Sequence, residues 1–141
     1  MAFQARIRVR FGDIDYAGIV YYPRFLHYFH VALEEFFEAE VGIDYPAILN
    51  RHRLGFPTVH LETNFRRSLR YGDLIDVEIS VLQIGRASIT WGYKGFNGKD
   101  LAVEGQNVTV SMNMDTFEKT ETPEWLIKSL EAYRQRCAGG A

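Results

Sequence analysis

One long helical pattern lodged among short strand patterns constrains this chain more than any other feature. From Tyr22 onward apolar residues fall at spacings of three and four: Phe25, Leu26, Phe29, Leu33, Phe36, Phe37 and Val41. Glu34, Glu35, Glu38 and Glu40 lie largely between them, which is the pattern of an amphipathic helix. Pro23 suits the first turn, where a missing N–H costs nothing. Gly42 suits the stop. The spacing predicts a helix of about five turns over 23–41. Its apolar stripe is wide and rich in phenylalanine, so it needs a sheet to cover it.

The rest of the chain supplies that sheet. Residues 5–11 alternate, with Arg6, Arg8 and Arg10 opposite Ile7, Val9 and Phe11, which predicts a half-buried strand. A short helix is expected over 46–53, broken by Gly55-Phe56-Pro57. Four strand patterns follow. The first, 58–69, places Val59, Leu61, Thr63 and Phe65 on one face. The second, 74–82, sets Ile75, Val77, Ile79 and Val81 against Asp76, Glu78 and Ser80. The third, 87–94, alternates Ala87, Ile89, Trp91 and Tyr93 with polar residues, and the fourth runs over 101–114. Tyr71-Gly72-Asp73, Gly85 and the strong hairpin signal Asn97-Gly98 separate them. A last helix over 123–136 is expected, capped by Thr122 with Glu124 in its first turn. The fold class is therefore α+β: one long helix on one face of about five antiparallel strands, in a single domain over 1–141.

Composition narrows the function. A net charge of −2 without a basic run argues against a nucleic-acid partner. The one cysteine, Cys137, allows no internal disulfide and fits a reducing, cytoplasmic compartment. No apolar run approaches ~20 residues, so no membrane span is expected. No secretory leader is visible in the opening residues. Asp13-x-Asp15-x-x-Gly18 resembles the start of a calcium loop, but Ala17 and Arg24 stand where oxygen ligands belong. His27, His30, His52 and His60 have no zinc-motif partners. Phosphate-loop and serine-elbow motifs are absent. No metal and no cofactor are expected.

What remains is a carboxylate beside a helix N-terminus. The helix start offers unpaired N–H groups and partial positive charge, the parts of an oxyanion hole. A carboxylate there can attack a carbonyl or activate water. On the residues alone, Asp13 and Asp15 serve equally well as turn caps.

The stretch Phe11-Gly12-Asp13-Ile14-Asp15-Tyr16-Ala17-Gly18-Ile19-Val20-Tyr21-Tyr22-Pro23 strongly resembles the signature of hotdog-fold acyl-CoA thioesterases of the 4-hydroxybenzoyl-CoA thioesterase type. The resemblance extends to the following helix, Gly55-Phe56-Pro57, the Tyr71-Gly72-Asp73 turn and the strand order. It implies a five-stranded sheet wrapped around the long helix, homodimers or homotetramers, and active sites at the dimer interface. The family's catalytic aspartate falls on Asp15, with oxyanion donors at Tyr22 or its neighbours. A tol-pal-associated branch carries histidine where this chain has Tyr22. The Tyr22-Pro23 pair looks more like the aryl-specific branch. That implies an aromatic acyl-CoA substrate, such as 4-hydroxybenzoyl-CoA, held among Tyr16, Tyr21, Tyr22 and Phe56, with Gly18 shaping the loop. Arg86, with Ser88 nearby, resembles a position used for coenzyme A phosphates; Arg66, Arg67 and Arg70 are further candidates. Three alternatives stay open: an aliphatic acyl-CoA, chemistry on the helix glutamates Glu34 or Glu35, and a non-catalytic acyl-CoA or acyl-carrier-protein binding module.

Overall fold

A computed structural model describes residues 2–139; Met1, Gly140 and Ala141 of the expected 1–141 domain lie outside them. Strand β1 (Phe3–Arg8) leads through a single 3-10 turn into a loop and then helix α1 (Pro23–Phe36). Helix α1 continues as one wider π turn (Phe37–Val41) and stops at Gly42. Gly42 takes φ 85°, and its N–H donates to Phe37 O at 2.9 Å, a left-handed exit that glycine makes without strain. Helix α2 (Tyr45–Asn50) follows, with Asp44 Oδ1 accepting from Ala47 N as its cap. Then come β2 (Leu54–Gly55), β3 (Thr58–Phe65), β4 (Leu74–Ile84), β5 (Ser88–Asn97), β6 (Asp100–Val110), β7 (Met112–Asn113) and helix α3 (Glu124–Gly139).

The main sheet is antiparallel, in the order β1-β4-β5-β6-β3. The alternation in β4 decides which face is inside. Ile75, Val77 and Ile79 are wholly buried, while Asp76, Glu78 and Ser80 point outward. Helix α1 lies across this inner face. Phe29 stacks on Tyr93 at 4.7 Å, and Phe36 meets Trp91, Tyr133 and Phe3 edge-on within 5.7 Å. This is the sheet-covered stripe expected from the helical spacing. Helix α3 closes one flank: the Tyr133 hydroxyl donates to Ile79 O and accepts from Phe3 N.

Four boundaries differ from expectation. The first strand ends at Arg8, because the Val9 N–H bonds Asp73 O in the turn rather than a ladder partner. Phe11 therefore projects into solvent instead of the core. Strand β3 stops at Phe65, where Arg66 and Arg67 both turn their N–H groups to Ala102 O. The last strand breaks at Ser111, whose hydroxyl bonds Thr122, and β7 peels off to pair with β2. That bond also removes Thr122 from capping α3. Pro123 O instead accepts the helix's first N–H bonds, from Leu126 and Ile127.

The two edges of the sheet are unequal. β1 is backed by α1 and α3. β3 is exposed on both faces, so Val59, Leu61 and Phe65 form an apolar strip in solvent rather than part of the core.

Candidate active site

The loop between β1 and α1 folds as a miniature hairpin. Ile14 and Val20 form a β-bridge, the Asp15 N–H donates to Ile19 O at 2.9 Å, and the Gly18 N–H donates to Asp15 O at 3.0 Å. Gly18 takes φ 84°, a backbone state that a side chain would strain. Val20 N bonds Leu69 O, tying the hairpin to the body of the protein.

Its two carboxylates live differently. Asp13 is buried; Oδ2 accepts from Tyr28 OH at 2.7 Å and from Arg10 N at 2.9 Å, and Oδ1 lies 3.7 Å from Arg24 Nε. Burial, reinforced by the bond to Asp13, pushes the Tyr28 phenol well above its ordinary value, so it stays protonated as a donor. Asp15 is half-exposed at the tip. Its Oδ1 accepts from Ala17 N at 2.8 Å, an Asx turn, while Oδ2 accepts no bond from the described residues.

The helix start is more closed than the sequence implies. The Arg24 N–H donates to Tyr21 O and the Phe25 N–H to Tyr22 O, at 2.8 and 3.2 Å. Tyr21 N is bonded to Asp13 O, and Pro23 has no N–H. Among the described residues, the Tyr22 N–H alone at this helix start has no acceptor. One loop thus holds an open carboxylate oxygen and an open N–H at the positive end of α1. Those are the groups that acyl transfer needs: an attacking or water-activating base and an oxyanion donor.

The aromatic residues of the loop divide. Tyr16 is fully exposed. Tyr21 and Tyr22 sit edge-to-face at 5.4 Å, and Tyr22 meets Phe65 of β3 at 6.2 Å. With Ile19, Val20, Phe25 and Arg66, Tyr22 and Phe65 line a groove of about 220 Å³. Phe56, Arg86 and Ser88 are not there. They lie toward the other end of the sheet, where β5 begins at Ser88 and Phe56 precedes β3. Arg86 is exposed and 3.4 Å from Glu121; Ser88 begins β5. Phe56 packs on Phe37 and Tyr45 at the far end of α1. Within the one chain the expected site is therefore split. Arg66 and Arg67 approach Glu104 and Asp100, whereas the Arg70 guanidinium has no partner among the described residues. Glu34 is bonded to His30 at 2.9 Å. No group of described histidine, cysteine or acidic residues is arranged to hold a metal ion.

The fold matches those of known proteins. The profile described as Thioesterase-like superfamily matches residues 9–130. The chain belongs to the thioesterase-like superfamily. A 1,4-dihydroxy-2-naphthoyl-CoA hydrolase from Crocosphaera subtropica is 30% identical over 132 residues, covering 92% of this chain and 96% of that one. The corresponding hydrolase from Synechococcus elongatus is 27% identical over 125 residues, covering 88% and 91%. Among solved structures, the 1,4-dihydroxy-2-naphthoyl-CoA thioesterase from Synechocystis superposes with a TM-score of 0.82 at 22% identity, covering 92% of this chain and 96% of that one. A gentisyl-coenzyme A thioesterase superposes with the same score at 23% identity, covering 89% and 99%. At these identities the structures speak to the fold, which is the hotdog arrangement.

Two features of this superfamily member were not legible as site features. The Tyr28–Asp13 bond joins a residue of the helix stripe to the loop. Its only signal is a hydroxyl-bearing ring on an otherwise apolar stripe. The second is a cavity beneath the middle of α1, lined from Leu26 to Leu33 on the helix and by Phe56 and Tyr93 opposite.

Proposed function

We propose that this acyl-CoA thioester hydrolase cleaves an aromatic acyl-CoA, of the 4-hydroxybenzoyl-CoA type, with Asp15 as the reacting carboxylate and the Tyr22 N–H as oxyanion donor. The observation that carries the reading is the pairing of an unengaged Asp15 Oδ2 with an unengaged Tyr22 N–H at the start of α1. The thioester carbonyl oxygen is placed at the Tyr22 N–H, where the helix dipole favours growing negative charge. Asp15 Oδ2 then either attacks the carbonyl carbon or takes a proton from an attacking water. The tetrahedral intermediate collapses and coenzyme A leaves as its thiolate. On the first route water then hydrolyses an acyl–Asp15 anhydride. Single-turnover reaction in ¹⁸O-labelled water separates the routes: label in Asp15 marks the anhydride.

The whole chain acts in this reading as one thioesterase domain that works as a dimer or a dimer of dimers. Support comes from β3, an edge strand exposed on both faces that displays Val59, Leu61 and Phe65. An unpaired apolar edge invites a second strand. Antiparallel pairing of two β3 strands sets the Phe65 end of one protomer against the Thr58 end of the other. It thereby brings the loop of one toward Phe56, Arg86 and Ser88 of its mate, reuniting the split site with an arginine for coenzyme A phosphate. The aromatic preference draws on relatives that act on aryl thioesters by name and on the rings of Tyr16, Tyr21 and Tyr22 beside the loop.

The deciding experiment is hydrolysis of a panel of aryl and aliphatic acyl-CoAs, read with a thiol reagent, by wild type and Asp15→Asn. Turnover of aryl thioesters should fall at least ~10²-fold in the variant. Near wild-type rates for Asp15→Asn would sink its role. A preference for short or medium aliphatic chains would sink the aryl assignment.

A further inference from the structure

The end of β1 and the turn before β4 meet in one exposed surface. The Val9 N–H donates to Asp73 O at 2.8 Å and the Gly72 N–H to Val9 O at 3.1 Å, which ties the two segments together. Phe11 and Tyr71 stand on this surface as an edge-to-face pair at 5.9 Å, 81% and 65% exposed. Three arginines belong to it. Arg10 and Arg70 precede the two rings in sequence, and Arg8 Nη1 donates to Gly72 O at 2.9 Å. Their lack of ion pairs sets these three apart. Of the twelve arginines in the chain, eight reach a described carboxylate. Arg8, Arg10 and Arg70 are three of the four that do not; the other is Arg51, after α2. The neighbouring carboxylates are mostly engaged: Asp76 with Arg6, Asp13 at the base of the loop, and Asp73 Oδ2 with the Arg70 N–H. Arg8 and Arg10 also line a groove of about 290 Å³ beside α1, with His27 and Glu35 on the helix side.

We infer that this surface docks an acidic protein that carries an acyl group on a phosphopantetheine arm, an acyl carrier protein, so that the hydrolase takes carrier-borne thioesters as well as coenzyme A thioesters. The inference rests on the hydrolase reading with Asp15, and not on the identity of the acyl group. Composition supports a protein partner. Exposed aromatic rings with arginine, and no lysine among them, are the makeup of protein-binding hot spots. The guanidinium fork matches a carboxylate with two hydrogen bonds, and the groove beside Arg8 and Arg10 gives such a carboxylate a place to enter. Position supports a carrier. Phe11 precedes Asp15 by four residues, so their Cα atoms are at most about 14 Å apart, a span that a phosphopantetheine arm crosses. Docking at the foot of the loop thus delivers the thioester to its tip. The surface also stays open in the β3-paired dimer proposed above, because β1 and β4 lie on the side of the sheet away from β3. The chemistry keeps its balance: the acyl C–S bond breaks, and water gives its hydroxyl to the acyl carbon and its other hydrogen to the carrier's sulfur.

The test takes the acyl group that the panel above turns over fastest and presents it as the thioester of coenzyme A, of pantetheine alone and of an acyl carrier protein. Wild type should show a kcat/KM for the carrier thioester at least ~10-fold above that for the pantetheine thioester, and the advantage should shrink as salt rises from about 0.02 to 0.3 M. Arg10→Gln and Phe11→Ala change exposed side chains, so the melting temperature should hold. Each should raise KM for the carrier thioester about fivefold or more, while kcat and turnover of the coenzyme A thioester stay within about twofold. Calorimetric binding of the unacylated carrier should weaken in the same variants. No carrier advantage in wild type, or an equal loss on carrier and coenzyme A thioesters in the variants, would overturn the docking surface and leave the hydrolase reading in place. Binding to phosphatidylserine vesicles that depends on Arg10 and Phe11, with no carrier advantage, would overturn it in favour of a lipid-facing surface. Wild type that cleaves none of the three thioesters would overturn the hydrolase reading itself, and this inference with it.

Discussion

At the base of the loop, Asp13 is buried and held by Tyr28 OH, Arg10 N and, more loosely, Arg24. At the tip, two residues on, Asp15 is half-exposed and holds only its own turn, with one oxygen left over. The residues are chemically identical, and their surroundings separate them. A carboxylate that completes its hydrogen bonds inside the protein becomes framework. One that does not do so keeps an oxygen open, as Asp15 does. The base makes the tip possible: with Asp13 O holding Tyr21 N, and Asp13 Oδ2 holding Arg10 N, both ends of the hairpin are fixed. Asp15 therefore stands in a defined place, as the catalytic role proposed for it requires.

The sharpest way to break this contrast is to exchange the damage. Asp15→Asn should remove activity as stated above yet leave the melting temperature within about 2 °C, because its one bond, to Ala17 N, survives in the amide. Asp13→Ala should behave in the opposite sense. It strands the buried Tyr28 hydroxyl, at a cost of about 1–3 kcal/mol, and takes the acceptor from the Arg10 N–H, which lies on an exposed residue. Urea denaturation measures it. Activity should then fall only as far as the loop loosens, and less than in Asp15→Asn. A stable Asp13→Ala protein would show that the base does not organise the tip.

A milder disturbance lies at Gly18, whose left-handed φ of 84° closes the turn around Asp15. Nothing lies within 4 Å of where a Cβ would sit, so Gly18→Ala meets backbone strain alone, about 1 kcal/mol. Stability should drop by that amount, and kcat/KM should change by no more than several-fold. A larger kinetic loss with unchanged stability would mean that Gly18 leaves room for substrate rather than merely shaping the turn.

The same contrast shows what the sequence could and could not display. Strand β4 was legible because Ile75, Val77 and Ile79 alternate with charge, and period two has one structural meaning. The helix over 23–41 was legible for the matching reason. Strand β3 was legible as a strand, but alternation says which face is apolar and not what covers it. Only the packing shows that α1 stops short of Val59 and Leu61. Asp13 and Asp15 were inseparable by residue type, because the group that tells them apart, Tyr28, sits fifteen positions away on the helix stripe. Phe11 was misplaced because alternation ran on past Val9, whose N–H had already turned to Asp73. Local pattern carries local structure; partners distant in sequence decide both errors.

The smallest effect comes from pH acting through the base of the loop. In the fold the Tyr28 phenol titrates above its ordinary value of 10, because burial and the Asp13 carboxylate both oppose a second negative charge. Its folded value is raised, so the stability it contributes is complete below about pH 10 and is lost as pH climbs through the folded value. Urea denaturation between pH 8 and 11 should therefore show stability falling at the alkaline end. Tyr28→Phe should begin about 1 kcal/mol less stable at pH 8, from the lost hydrogen bond, and then fall less steeply. The slope that remains belongs to Tyr45, Tyr93 and Tyr133, which burial also pushes upward. Parallel curves for the two proteins would mean that Tyr28 is free to ionise in the fold. Its bond to Asp13 would then be too weak to hold the base of the loop closed.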